Sequence, residues 1–236
     1  MVTFKQRSVI FILVITAILL FIILYYKPST LDPSFVANQA QEQLAQASSY
    51  RFQLSVRTVI DQQDRVVSII TGEFVHPNTY HLQGTSYDYK LNLYYINGEL
   101  VFLDPVDNCW KKSSTAPSLV TEAILFTTSP IADFLTANAQ NFDLVASKRS
   151  ESQIIYHLNT KLNKVTNPYW EIFFSDFQLD SYINYPNYLV QRLQLYGTNN
   201  QQDSLSIELL LSDYNKFFNI AAPKETTQEK ILFITP

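Results

Sequence analysis

At 236 residues with a net charge of −4, the chain fits one domain of roughly 200 residues behind a hydrophobic leader. No basic block and no interleaving of aromatic with basic residues occurs, so the electrostatic footprint of a nucleic-acid binder is missing and nucleic acid is excluded as an expected partner. The four glycines form no phosphate-cradling loop, and the single cysteine, Cys109, has neither an intramolecular partner nor a neighbouring His or Cys to activate it.

From Val9 to Tyr26 the sequence VIFILVITAILLFIILYY carries no charge. As a helix it spans about 27 Å at 1.5 Å per residue, close to a bilayer core. Lys5 and Arg7 precede it, which predicts a short cytoplasmic N-terminus (1–8), a transmembrane signal anchor (9–26) and an extracytoplasmic remainder. The run is longer than the apolar core of a signal peptide and no small-x-small cleavage site follows closely, so an uncleaved anchor is expected. Residues 27–31 are a short linker, 32–225 the extracytoplasmic domain and 226–236 a C-terminal tail. The apolar run ILFI within that tail is expected to pack back onto the domain.

The domain opens with Asp32 before Pro33, an N-cap followed by the helical position that tolerates proline. Val36, Ala40, Leu44 and Ala47 then share one stripe of a short amphipathic helix. SYRFQLSVRTVI alternates, with Tyr50, Phe52, Leu54, Val56 and Thr58 on one side and Arg51, Gln53, Ser55 and Arg57 on the other, as in an antiparallel strand buried on one face. A loop at Asp61 to Asp64 leads to a more continuously apolar strand from Arg65 to Val75, and His76-Pro77-Asn78 turns the chain into TYHLQGT.

YDYKLNLYYINGELVFLDP reads as a hairpin turning at Asn97-Gly98, a pair suited to positive φ. Tyr87, Tyr89, Leu91, Leu93 and Tyr95 share its inward face, with Tyr87 and Tyr95 placed to keep their hydroxyls wet at a cavity mouth. Between Pro117 and Gln140 the spacing becomes helical and predicts two short helices, one carrying Leu119, Ala123 and Phe126, the next starting at Ser129-Pro130 with Ile131, Phe134 and Leu135. Strands resume with FDLVAS, QIIYHLNT, YLVQRLQLYG and SLSIELLLSDYN, and Asn167-Pro168 leads into YWEIFFSDF, read as a strand although the run suits a short helix almost equally. The fold class is α+β: one large curved antiparallel β-sheet wrapped around a few short helices and preceded by one transmembrane helix.

Signals for chemistry are absent. His76, His81 and His157 show no metal-ligand spacing, no G-x-S-x-G occurs, and acidic residues are scattered singly. No cofactor and no enzymatic activity is expected. The helices, rich in small residues, are expected to underfill so wide a sheet, and a hollow apolar interior binds apolar ligands.

SDYNKFFNIAAPKE, where a strand ends in "sDYn" and "I-x-x-P" follows, resembles the C-terminal end of the LolA-like lipoprotein-carrier superfamily and, within it, the LppX/LprG-type extracytoplasmic lipoproteins of Gram-positive bacteria. SYRFQLSVR resembles that family's first strand, YYINGELVFLDPVDNCWKK its "YxxxGxxYxxdpxxxxW" hairpin and SPIADFLTANA its "dPlxlL" helix, over roughly Ala37 to Glu225. The resemblance implies a half-open β-barrel closed by helices around an apolar cavity for acyl chains.

On the apolar strand faces that cavity is expected to be lined by Phe52, Leu54, Val56, Tyr89, Leu91, Leu93, Tyr156, Leu193, Leu195, Ile207 and Leu209. The family's lipobox cysteine is replaced here by the apolar run, and KETTQEKILFITP extends past the usual end. The expected partners are a lipid or an acylated lipoprotein, the bacterial cell membrane through residues 9–26, and a further envelope protein. A linker of five residues lets the domain reach only about 15 to 20 Å from its membrane, which favours local lipid handling over shuttling. The alternative is a non-enzymatic envelope sensor or interaction protein with a self-filled core.

Overall fold

The computed structural model describes residues 32–104, 107–113, 118–150, 153–224 and 227–228. The predicted anchor (9–26), its flanks and the ILFI run lie outside them. Among the described residues no helix is long and apolar enough to cross a membrane. The described residues from Pro33 on belong to one compact unit. Its buried apolar side chains run from Val36 to Leu211.

Among the described residues twelve strands, β1 (Ser49–Ile60), β2 (Gln63–Val75), β3 (Thr79–Ser86), β4 (Tyr89–Ile96), β5 (Glu99–Leu103), β6 (Trp110–Ser113), β7 (Asp143–Ser150), β8 (Gln153–Leu162), β9 (Asp176–Tyr185), β10 (Leu189–Thr198), β11 (Ser204–Ser212) and β12 (Thr227–Gln228), form one sheet in the order β12-β6-β5-β4-β3-β2-β1-β11-β10-β9-β8-β7. Two antiparallel meanders, β1 (Ser49–Ile60) to β6 (Trp110–Ser113) and β7 (Asp143–Ser150) to β11 (Ser204–Ser212), are joined where β1 pairs with β11. The two-residue β12 (Thr227–Gln228) adds in parallel to β6. The edges β12 and β7 do not pair with each other, so the sheet remains open.

Helix α1 (Pro33–Ala45) and helix α2 (Ser118–Thr136) lie on the inner face, α2 against β1, β2, β10 and β11, and α1 against α2, β7 and β10. The expected stripe of α1 is buried at Val36, Ala40 and Leu44, with Ala47 buried just beyond. Strand alternation also emerges as expected: Phe52 faces Leu211, Leu54 faces Leu209, and Leu193 faces Leu209 from the other side.

Two expectations are corrected. The two short helices are one helix of 19 residues with Pro130 inside it. Proline removes one backbone donor, which normally breaks a helix. Here the hydroxyls of Thr127, Thr128 and Ser129 donate to the carbonyls of Ala123, Ile124 and Leu125, and Gln41 Nε2 caps the far end on the carbonyls of Phe134 and Ala137 at 2.7 and 2.8 Å. The stretch YWEIFFSDF is not a strand: helix α3 (Pro168–Phe173) occupies its front and β9 (Asp176–Tyr185) starts only at its end. Asn167 caps α3, its side chain accepting from the Tyr169 amide at 3.1 Å, and Pro168 takes the first helical turn.

Turns differ in detail. Asn97-Gly98 has the expected positive φ of 52° and 84°. Tyr87 and Asp88 (φ 48° and 67°) make a second such turn, so Tyr87 leaves the strand, and β4 begins at Tyr89. The loop at Asp61 to Asp64 contracts to Asp61-Gln62, with β2 (Gln63–Val75) starting at once.

Candidate functional site

The inner face divides into two zones. In its centre Leu54, Leu93, Leu193, Leu195, Ile207 and Leu209 are wholly buried. None of these side chains is exposed to solvent, so the protein itself covers them.

The second zone lies at the end of β1 and β11 where Val56, Thr58 and Leu205 face inward. The β1–β2 register shifts between Val56 and Arg57, and a bulge of this kind bends and over-twists its strand. Inward side chains shorten here, with Thr58 opposite Leu205 and Gly197 on the next strand. A Cβ on Gly197 would lie 2.8 Å from the Phe177 ring and 3.2 Å from Phe174, so only glycine lets these two aromatics approach. The result is an apolar recess of about 300 Å³, at the lower end of the roughly 300–1,000 Å³ usual for ligand sites.

Its floor is Val56, Thr58 and Leu205, and its wall is built by α3. Trp170, buried, stacks on Phe126 of α2 with centroids 6.0 Å apart and planes 12° from parallel. Three polar contacts hold that wall. Asp133 of α2 accepts from the Thr166 amide and hydroxyl at 2.6 and 2.5 Å, Glu171 accepts from the Val165 amide at 3.1 Å, and the buried Asn167 supplies the cap. Burial pushes Asp133 above the usual carboxylate value, the Thr166 bonds pull it partly back, and Glu171 adds to the rise.

The recess opens to solvent between Tyr87, Tyr169 and Phe173, all exposed. Tyr87 is hydrogen-bonded to Glu122, the one charged residue in the lining, and burial followed by this neighbour raises its phenol. A second, polar recess of about 560 Å³ lies beside the first and shares Ile60, Phe173 and Phe174 with it.

Of the eleven residues expected to line a cavity, Val56 lines this recess. Phe52, Leu54, Leu91, Leu93, Tyr156, Leu193, Leu195, Ile207 and Leu209 lie buried on the inner face and do not line it. Tyr89 is 56 % exposed, because the Tyr87-Asp88 turn puts it at the very end of β4. Tyr87, expected at a cavity mouth, stands there from a turn instead of a strand. Sequence reasoning missed Trp170, Phe173 and Phe174, and the signal that would have found them is the Asn-Pro helix start at Asn167-Pro168. His81 and His157 stack on Tyr94 and Tyr182, at 4.2 and 4.4 Å, and line neither recess.

No family model matches the chain, and no curated protein matches it in sequence. Solved structures do. The Mycobacterium tuberculosis lipoprotein LppX aligns with a TM-score of 0.51 at 13 % identity, over 80 % of this chain and 100 % of LppX. LprF from Mycobacterium bovis aligns with a TM-score of 0.51 at 7 % identity, over 81 % of this chain and 96 % of LprF. At such identities the likeness establishes the fold alone: the chain shares the fold of LppX and LprF.

Proposed function

We propose that this domain binds an acyl chain of a lipid or lipoprotein in the recess between α3 and the ends of β1 and β11, by burial and without chemistry. The observation that supports this is an apolar recess whose lining holds one carboxylate and otherwise mainly aliphatic and aromatic carbon, open at one side. Transfer of a chain from water into such a site yields about 0.8 kcal/mol per buried methylene. The volume suits a stretch of one chain, and the wet rim of Tyr87 and Tyr169 can remain beside a polar headgroup. Native mass spectrometry of residues 32–236 should find co-purified lipid, and the protein should take up a fluorescent fatty acid. Ligand-free protein with no uptake contradicts the reading.

The apolar run of residues 9–26 supports a single-pass anchor in the cell membrane, with a cytoplasmic N-terminus and an extracytoplasmic domain. Cys109 is exposed and unpaired, so a membrane-impermeant maleimide should label it in intact cells once the outer wall is removed. Labelling only after lysis contradicts this topology.

A second reading, an envelope sensor or interaction protein, is favoured by the packed centre of the sheet. It predicts that filling the recess leaves function intact.

A further inference from the structure

Helix α3 has six residues, and three of them, Tyr169, Ile172 and Phe173, are 59, 71 and 63 % exposed. Ile60 and Tyr87, each nearly half exposed, stand on the rims of the two recesses that flank this helix. Single exposed apolar residues are ordinary, but a collar of five in one place marks a contact surface.

The charge within the linings of the two recesses has one sign, although Arg65 stands opposite Thr58 on the same sheet face. Asp61, Glu122, Glu171 and Asp203 line the two recesses, and no Lys, Arg or His does. An acidic rim repels a bilayer rich in anionic lipid and attracts a basic surface.

Position supplies a third constraint. Near the start of α1, Phe35 rests edge-on against Tyr188 at 5.9 Å, in the turn between β9 and β10 (Leu189–Thr198). The collar lies at the other end of that hairpin, where the Ser175 amide donates to the Thr198 carbonyl and Phe173 to Ser175 line the second recess. Ten residues of β10 separate the two ends, about 30 Å at 3.3 Å per residue. The start of α1 therefore lies at the end of the domain away from the collar.

We propose that the collar docks an extracytoplasmic polypeptide whose exposed apolar side chains are flanked by lysine or arginine. The carboxylates orient the partner while Ile172, Phe173 and Tyr169 bury against its apolar tip. Ile60, Tyr87, Tyr169 and Phe173 also line the apolar recess, so the collar surrounds its mouth, and of the five only Ile172 stands outside that lining.

The test uses residues 32–236 and two labelled peptides with the same Leu/Phe spacing, one with Lys and one with Glu at the polar positions. Vesicles of phosphatidylcholine alone, and of phosphatidylcholine with phosphatidylglycerol, form the other arms. The Lys peptide should bind, lose about tenfold in affinity in the Ile172→Ser variant, and lose about twofold in Asp61→Asn or on raising salt. Ile172 does not line the apolar recess, so fatty-acid uptake by Ile172→Ser should equal that of the parent, separating a docking defect from loss of the acyl site. Equal binding of the Glu peptide overturns the proposal, as does Lys-peptide binding indifferent to Ile172→Ser. Vesicle co-sedimentation that Ile172→Ser abolishes also overturns it, because the collar would then be a membrane-docking surface.

Discussion

The centre of the sheet and its α3 end are built from the same strands, yet one is full and the other hollow. At the centre Leu54, Leu209, Leu193 and Leu195 lie beneath α2, which runs for 19 residues. Two to four residues along, the inward positions become Val56, Thr58 and Gly197, and the cover becomes a six-residue helix held at its entrance by polar contacts. Alternation therefore tells which face of a strand is inward. Whether that face is packed depends on side-chain size and on the length of what covers it.

This contrast can be broken by substitution. The largest effect is expected in the centre, where Leu193→Ala should cost about 2–5 kcal/mol in urea denaturation by leaving a cavity in a filled interior, with fatty-acid binding unchanged. Next is Asp133→Ala, which strips Thr166 of its buried acceptor. A loss of about 1–3 kcal/mol is expected, with faster hydrogen exchange at the Val165 and Thr166 amides. At the hollow end Thr58→Phe should change stability by less than about 1 kcal/mol, because the added ring enters existing space, yet weaken fatty-acid binding about tenfold. A Thr58→Phe protein that binds as well as the parent would show that the recess is not the site.

The smallest effect concerns pH. Because burial raises Asp133 above its ordinary value, the folded state holds this proton more tightly than the unfolded chain does. Asp133 therefore subtracts stability at neutral pH and ceases to do so as pH falls through its raised value into the ordinary carboxylate range. Asn at this position does not titrate, so the parent should gain on Asp133→Asn when urea melts are compared from pH 7 down to pH 4. Asp203 and Asp213 act in the opposite sense. Their carboxylates are held below the ordinary value, chiefly by Asn199 and Lys216 respectively, and their contributions are lost as pH falls through those depressed values.

Much of the fold was legible because one-face burial imposes a period of two that polar Arg51, Gln53 and Arg57 make visible against Phe52, Leu54 and Val56. The helix through Pro130 was not, since a proline reads as a helix break in sequence while here the helix continues across it, packed on β1, β2, β10 and β11. Helix α3 was hidden in a run of aromatic residues with strand-like composition, although its Asn-Pro start is a local signal. The recess lies one zone away from the row expected to line a cavity: a row such as Leu193, Leu195, Ile207 and Leu209 reads identically whether a ligand or a helix lies over it. The bulge after Val56, the short side chain of Thr58 and the short span of α3 make the end hollow, and each acts through contacts distant in sequence.

Fluorescence of Trp170 tests the central claim most directly. In Trp110→Phe, Trp170 is the sole tryptophan, and its ring lies in the recess wall. Titration with a brominated fatty acid should quench it saturably, and Thr58→Phe should shift that quenching to about tenfold higher fatty-acid concentration. In Trp170→Phe, the remaining Trp110, beside Tyr94 at 5.7 Å and lining neither recess, should be unaffected. Unquenched Trp170, or equal quenching of both tryptophans, would contradict an acyl chain bound at the α3 end of the sheet.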